Sequence, residues 1–305
     1  MNLSGVIRTD RLMADGRTIR YYDSKPTKRD AVDQRPQEEQ PSIGELRFDP
    51  LVNEWIAISA HRQNRIFLPP KELCPLCPTK GDLLTEIPES DFEVVVFDNR
   101  SPSLRPPTED YALPNYAGPE TDLAKAIGKC EVVCFTADHG QSFCDLSPAQ
   151  VRTLLEAWRD RTFELSKAPY IRHIAPFENR GEEIGVTLHH PHGQIYAYSY
   201  LPPRVEKMLT AAKRYKDEFG KVLFDETLKR ELTEKSRIVS QNEHWVAYVP
   251  YAARYPFEIH VAPLQPVADL TELSAEQCDS YPAIALEVMK RLDGVFGISM
   301  AYIAA

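Results

Sequence analysis

Apolar and polar residues alternate through GELRFDPLVNEWIAIS, residues 44–59, on both sides of a Pro-Leu-Val-Asn turn, a pattern that predicts a β-hairpin. Two short apolar runs, EVVVFD and KCEVVCFT, predict buried strands separated by a proline-rich stretch from Pro102 to Pro119. The period then becomes helical in VRTLLEAWRDRTFEL. Its start is marked by Ser147 as N-cap, Pro148 at the first helical position and Gln150 closing a capping box. YIRHIAPFE, EIGVTL and GQIYAYSY return to strand-like patterns. From Arg204 to Arg237 the chain is rich in lysine and glutamate at helical spacing, and HWVAYVP and FEIHVAP predict two more strands before a last helix.

These elements repeat in part. HGQSFCDLSPAQ leads into a helix and then a strand with Tyr170, and VADLTELSAEQ leads into a helix and then a strand with Tyr302. The expected fold is therefore α+β, two related units with mainly antiparallel sheet and helices packed on one side. Residues 23–42, DSKPTKRDAVDQRPQEEQPS, hold almost nothing to bury and read as a mobile connection. The chain is thus divided into an N-terminal extension (1–43), a first unit (44–203) and a second unit (204–305). The first unit continues through PFENRGEEIGVTLHHPHGQ, while the second stops at Ala305 and is expected to be incomplete.

Composition narrows the function. Thirty-six basic residues against 45 acidic ones give a net charge of -9, which argues against a broad surface for nucleic acid or anionic lipid. No apolar run approaches the roughly 20 residues of a membrane span, and the opening residues lack the apolar stretch of a signal peptide. A cytoplasmic protein is expected. Of six cysteines, Cys130, Cys134, Cys144 and Cys278 read as packing residues, and only Cys74 and Cys77 form a motif.

The densest chemistry lies in HHPHGQIYAYSY, residues 189–200, where three of the eight histidines occupy four positions. On extended backbone His190 and His192 share a face while His189 and Pro191 take the other. Gly193 is expected to let a backbone N–H approach an anion, and Gln194 adds a neutral donor, a pairing suited to phosphate. CPLC at 74–77 has the spacing of a zinc knuckle, with His139 and His190 as the best candidates for the other two ligands; a redox pair is the alternative. With His190 on the metal, His192 remains as a mostly neutral imidazole able to attack phosphorus directly and form a phosphoramidate.

PFENRGEEIGVTLHHPHGQIYAYSYLP resembles the active-site segment of the galactose-1-phosphate uridylyltransferases, in the histidine-triad superfamily. The CPLCP, VVVFDNRSPSL, VVCFTADHGQSF and WVAYVPYAARYPFE blocks follow that family's order. The resemblance implies that His192 takes the uridylyl group from UDP-glucose, releasing glucose 1-phosphate, and passes it to galactose 1-phosphate to make UDP-galactose. It implies that Gln194 contacts the transferred phosphate and Asn179 the nucleotide. Thr187, Arg62 and Arg65 would lie near the phosphates, and Asn99 with Arg100 in the uridine loop. It also implies zinc on Cys74, Cys77, His139 and His190, and a homodimer. Family members usually continue past the last strand seen here, and the second metal site that some carry has no visible counterpart. The alternatives are a related nucleotide-sugar phosphorylase or adenylyltransferase, and a zinc-stabilised nucleotide-binding protein that is inactive without such a tail.

Overall fold

The computed structural model describes residues 3–37, 44–59, 67–107 and 123–305. In chain order the first half carries β1 (Ile7–Leu12), β2 (Thr18–Asp23), β3 (Glu45–Asp49), β4 (Glu54–Ile58), β5 (Val94–Asp98), β6 (Leu123–Lys125), β7 (Gly128–Cys134), α1 (Pro148–Ser166), β8 (His173–Arg180) and β9 (His192–Tyr198). The second half carries α2 (Pro203–Phe219), α3 (Leu223–Glu234), β10 (Ile238–Gln241), β11 (Trp245–Tyr248), β12 (His260–Pro263), α4 (Ala275–Phe296) and β13 (Tyr302–Ala304).

Among the described residues seven strands form one sheet in the order β1-β2-β5-β7-β9-β8-β13, every neighbouring pair antiparallel. The hairpin read from sequence is β3–β4, which joins β6 in a small sheet, and β10, β11 and β12 form another. The architecture is the expected α+β with antiparallel sheet.

The two faces of the main sheet have different covers, as period-two alternation requires. One face buries Tyr22, Val94, Val96, Val133, Ile195 and Ala197 against Val151, Leu154 and Ala157 of α1 and Ala285 and Leu286 of α4. The other face buries Ile19, Tyr21, Val95, Phe97, Val132 and Cys134 under Cys74, Leu76, Ile87 and Phe92, so the CPLC knuckle lies against the sheet. Each such aliphatic side chain contributes roughly 1.5–3 kcal/mol by leaving water. Further along that second face, Leu46 of the hairpin joins Leu104, Ala126 and Cys130, with Tyr196, Tyr198 and Tyr200 packed against them.

Both long helices begin with the same device. The Ser147 hydroxyl accepts from the Gln150 N–H at the start of α1, Ser274 does the same with Gln277 at the start of α4, and each helix is preceded by a 3-10 turn. The repeat read from sequence is therefore present in structure up to the helices. It departs after them, because Tyr170 lies in the turn before β8 whereas Tyr302 opens β13.

Two expectations change. The first residues are not an appendage before the fold: β1 and β2 form the edge of the main sheet, Tyr21 and Tyr22 are buried, and the Tyr22 hydroxyl donates to Asp160 of α1 at 2.7 Å. Residues 24–37 are held by charge, with Arg29 paired to Asp23 at 2.5 Å and Arg35 to Asp33 and Glu86 at 2.8 and 2.7 Å. Their polar composition hid these pairs because the partners are themselves charged. Residues 38–43 lie outside the described residues. EIGVTL is not a strand: Glu182–Ile184 is a 3-10 turn flanked by Gly181 (φ 108°) and Gly185 (φ 80°), left-handed geometry that breaks extended pairing.

Candidate functional site

Cys74 and Cys77 follow the 3-10 turn Lys71–Leu73 in a tight knuckle, with the Cys77 N–H donating to the Cys74 carbonyl at 3.4 Å. His139 comes from the turn after β7, where Asp138 accepts from the Gly140 N–H at 2.8 Å, and His190 from the residues just before β9. The four ligand atoms all lie within 4.8 Å of one another. Cys77 Sγ stands 3.4 Å from His139 Nδ1 and 3.6 Å from His190 Nδ1. Tetrahedral zinc with ordinary bond lengths places sulfur and nitrogen ligands roughly 3.6 Å apart, so the donor set fits a closed four-coordinate metal site.

The surroundings favour that use. His190 Nε2 lies 2.9 Å from the Thr136 carbonyl, so its N–H donates there and the Nδ1 lone pair is directed at the cysteines. Burial pushes the His190 pKa down to about 4, and desolvation also lowers that of His139, so both rings are in the neutral form that binds metal. Burial and the neighbouring Cys74 thiol push the Cys77 thiol up to about 12, an arrangement whose ionisation a bound dication would favour. The Thr85 hydroxyl donates to the Cys77 carbonyl at 2.6 Å. Thr136 and Thr85 were invisible to sequence reasoning because both act on or through a main-chain carbonyl, which leaves no motif.

His192 opens β9, half-buried opposite Cys134 of β7. Its Nδ1 lies 2.7 Å from the His190 carbonyl; the Nδ1–H donates there, and Nε2 is left as the lone-pair nitrogen. Burial lowers its pKa, with the bond to His190 acting against that shift. Alternation along β9 places Gln194, Tyr196 and Tyr198 on the face of His192, away from the helices. Asn99 donates through Nδ2 to Gln194 Oε1 at 3.5 Å, and its own Oδ1 accepts from the Ser101 N–H at 2.8 Å. On β8, Phe177 packs edge-on against Tyr196 at 5.1 Å, so Asn179, two residues on, shares this face. Asn179 Oδ1 is buried without a hydrogen-bond partner. A neutral imidazole nitrogen, two side-chain amides and an unpaired acceptor thus share one wall, an arrangement able to bind and attack an activated phosphate.

The chain matches the galactose-1-phosphate uridyl transferase N-terminal domain over residues 34–202 and the C-terminal domain of the same family over residues 208–304. It belongs to the galactose-1-phosphate uridylyltransferase family. A galactose-1-phosphate uridylyltransferase of Streptomyces lividans is 43% identical over 292 residues, spanning 95% of this chain and 76% of that one. Its counterpart in Thermotoga maritima is 38% identical over 260 residues, 85% of this chain and 78% of the other. A solved structure of a uridylyltransferase superposes with a TM-score of 0.73 at 31% identity, covering 85% of this chain and 78% of its own.

Within this uridylyltransferase-family chain, the structure gathers Cys74, Cys77, His139 and His190 into one cluster and places His192, Gln194, Asn99 and Asn179 on or beside one sheet face. The Arg100 guanidinium is 3.6 Å from Glu86 and lines a pocket of about 230 Å³ with Ala14, Asp15, Arg35, Pro36 and Leu84. The Thr187 carbonyl accepts from the Leu68 N–H at 2.9 Å, a loop contact made by its backbone. Arg62 and Arg65 lie outside the described residues. His189 is exposed and 3.3 Å from Glu182, turned away from the buried His190. A Cβ at Gly193 would come 2.6 Å from the Phe177 carbonyl, so the missing side chain lets β8 and β9 close together. Among the described residues no helix is long and apolar enough to cross a membrane.

Proposed function

We propose that this chain moves a uridylyl group from UDP-glucose to galactose 1-phosphate through a covalent intermediate on His192. The observation that carries the reading is the bond from His192 Nδ1–H to the His190 carbonyl, which presents Nε2 as the nucleophile on the wall that holds Gln194 and Asn179. Nε2 forms a bond to the α-phosphorus as the bond from that phosphorus to the bridging oxygen breaks, and glucose 1-phosphate leaves with the electron pair. A phosphate oxygen of galactose 1-phosphate then attacks the same phosphorus, the N–P bond breaks, and UDP-galactose leaves. No proton has to move. The Nδ1–H stays on the His190 carbonyl, which stabilises the positive charge the ring carries in the intermediate.

Gln194 and Asn179 would donate through their amides to the phosphate oxygens, and Asn99 would hold Gln194 in place. Cys74, Cys77, His139 and His190 would hold zinc; a closed set of four protein ligands supplies rigidity and no open coordination position. That rigidity would reach the reaction through His190, whose ring would bind the metal beside Cys77 and whose carbonyl accepts from His192. Arg62, Arg65, Arg100 and Thr187 are assigned to the substrate phosphates and nucleotide through family likeness, which also supports a cytoplasmic homodimer.

Incubation with UDP-glucose labelled in its α-phosphate tests the reading. Acid-labile label should remain on the parent protein, leave on addition of galactose 1-phosphate, and be absent from His192→Ala. Equal labelling of both proteins, or stronger labelling by ADP-glucose, would overturn it. Sedimentation at twice the 34.7 kDa chain mass would support the dimer.

A further inference from the structure

The second half of the chain reaches the proposed site through one short strand. β13 pairs antiparallel with β8, Tyr302 opposite Arg180, Ile303 opposite Asn179 and Ala304 opposite Glu178. Three residues of pairing are weak by themselves, since isolated strand pairs are marginal in water. A side-chain cluster reinforces them on the helix-facing side. Asp293 of α4 accepts from both of its oxygens: Arg180 Nη1 lies 3.2 and 3.1 Å away, the Met300 N–H donates at 2.8 Å, and the Cys144 thiol donates at 3.2 Å. One carboxylate thereby joins α4, the last residue of β8, the turn before α1 and the approach to β13. Arg180 also reaches Ser299, which precedes β13.

Backbone packing points the same way. Gly181, directly after β8, has φ 108°, and a Cβ on it would lie 2.5 Å from the Ala301 Cβ and 3.0 Å from its Cα. The chain leading into β13 is pressed against the end of β8 too closely for any side chain there. Directly before these anchors stands Asn179, on the opposite face from Arg180, with its buried Oδ1 unpaired.

We propose that Asp293 is a positioning residue: by gathering Arg180, Met300 and Cys144 it clamps β13 onto β8 and so fixes the strand that presents Asn179 to the nucleotide. The inference rests on the nucleotide-contact reading of Asn179. Asp293 itself lies on α4, on the helix-covered side of the sheet, and its partners are Arg180, Met300 and Cys144 rather than His192, Gln194 or Asn179. Its loss should weaken substrate capture and leave the chemistry of bound substrate nearly intact.

The test uses the full chain with Asp293→Asn, Arg180→Lys and Gly181→Ala. In titrations with labelled UDP-glucose, Asp293→Asn should raise the half-saturating concentration about tenfold, the scale expected for losing a charge-assisted bond that sets geometry. The label bound per chain at saturation should stay within about twofold of the parent. Arg180→Lys, which keeps the charge, should lose less than Asp293→Asn, and Gly181→Ala should reproduce the loss by displacing Ala301. An unchanged half-saturation in Asp293→Asn, or a loss confined to the amount of label at saturation, would overturn the clamp. Amide hydrogen exchange at residues 178–180 and 302–304 separates the two readings. If the parent takes no label, the catalytic reading fails, and the clamp still predicts faster exchange at both strands in Asp293→Asn; unchanged exchange sinks it regardless of labelling.

Discussion

α1 and α4 are the same device used twice, and they lead to different outcomes. Each follows a 3-10 turn, starts at a serine closed by a glutamine three residues on, and lays part of its apolar side in the same core. α1 is followed by β8 and then β9, which carry Asn179, His192 and Gln194; α4 is followed by β13, which carries no histidine and buttresses β8. The capped helix is scaffold, and the chemistry depends on what the next strand presents.

The largest expected effect falls on the strand after α1. On the proposed mechanism, His192→Ala should lower uridylyl transfer at least about a thousandfold, measured as initial rate, because the transferred group loses the nucleophile that would receive it. Any histidine placed on β13 should fail to restore it; recovery would break the distinction between the two units.

Removing a proposed metal ligand comes next. Cys77→Ser should abolish stoichiometric zinc, read by elemental analysis, and destabilise the fold by several kcal/mol. Cys278→Ala, a buried packing cysteine in α4, should cost about 1 kcal/mol and leave metal content unchanged. Equal losses from the two would mean that the cluster is ordinary packing.

Between the units, Glu178 of β8 faces α4, and burial raises its pKa to about 7, with Tyr302 and Arg180 acting against the shift. A carboxyl with a raised folded-state pKa contributes stability that is fully present below its unfolded pKa near 4.5 and is lost as pH rises through about 7. Glu178→Gln, which stays neutral, should therefore gain on the parent by up to about 3 kcal/mol between pH 4.5 and 8. Denaturant melts across that range check it, and a difference independent of pH would refute the assignment.

The smallest effects sharpen the likeness. Ser147→Ala and Ser274→Ala should each cost about 1 kcal/mol by removing an N-cap acceptor. Markedly unequal midpoints in urea would show that the two caps are not equivalent.

The parts of this molecule legible beforehand share a physical trait: each signal is short-range. The β3–β4 hairpin, the Ser147 cap and the Cys74–Cys77 spacing are set by residues within a few positions of one another. His139 and His190, named as candidate partners of that knuckle and supported by the family likeness, lie far from it in sequence, and the fold brought them to it. The N-terminal segment was misread because Arg29 and Arg35 find their carboxylates only after folding, and a charged stretch looks solvated until its partners are known. EIGVTL was misread because three apolar residues imitate a strand, whereas Gly181 and Gly185 set the backbone.

The order of residues alone determined which groups can do chemistry here: imidazoles at 190 and 192, an amide at 194, and thiols three positions apart. Their side-chain types and local spacing are covalent facts. Only the tertiary structure decided that His190 turns its ring to the cysteines and its carbonyl to His192, that Gly193 serves strand packing, and that Asp293 fastens one half of the chain to the other. These depend on contacts between segments far apart in sequence, and such contacts exist only once the sheet has closed.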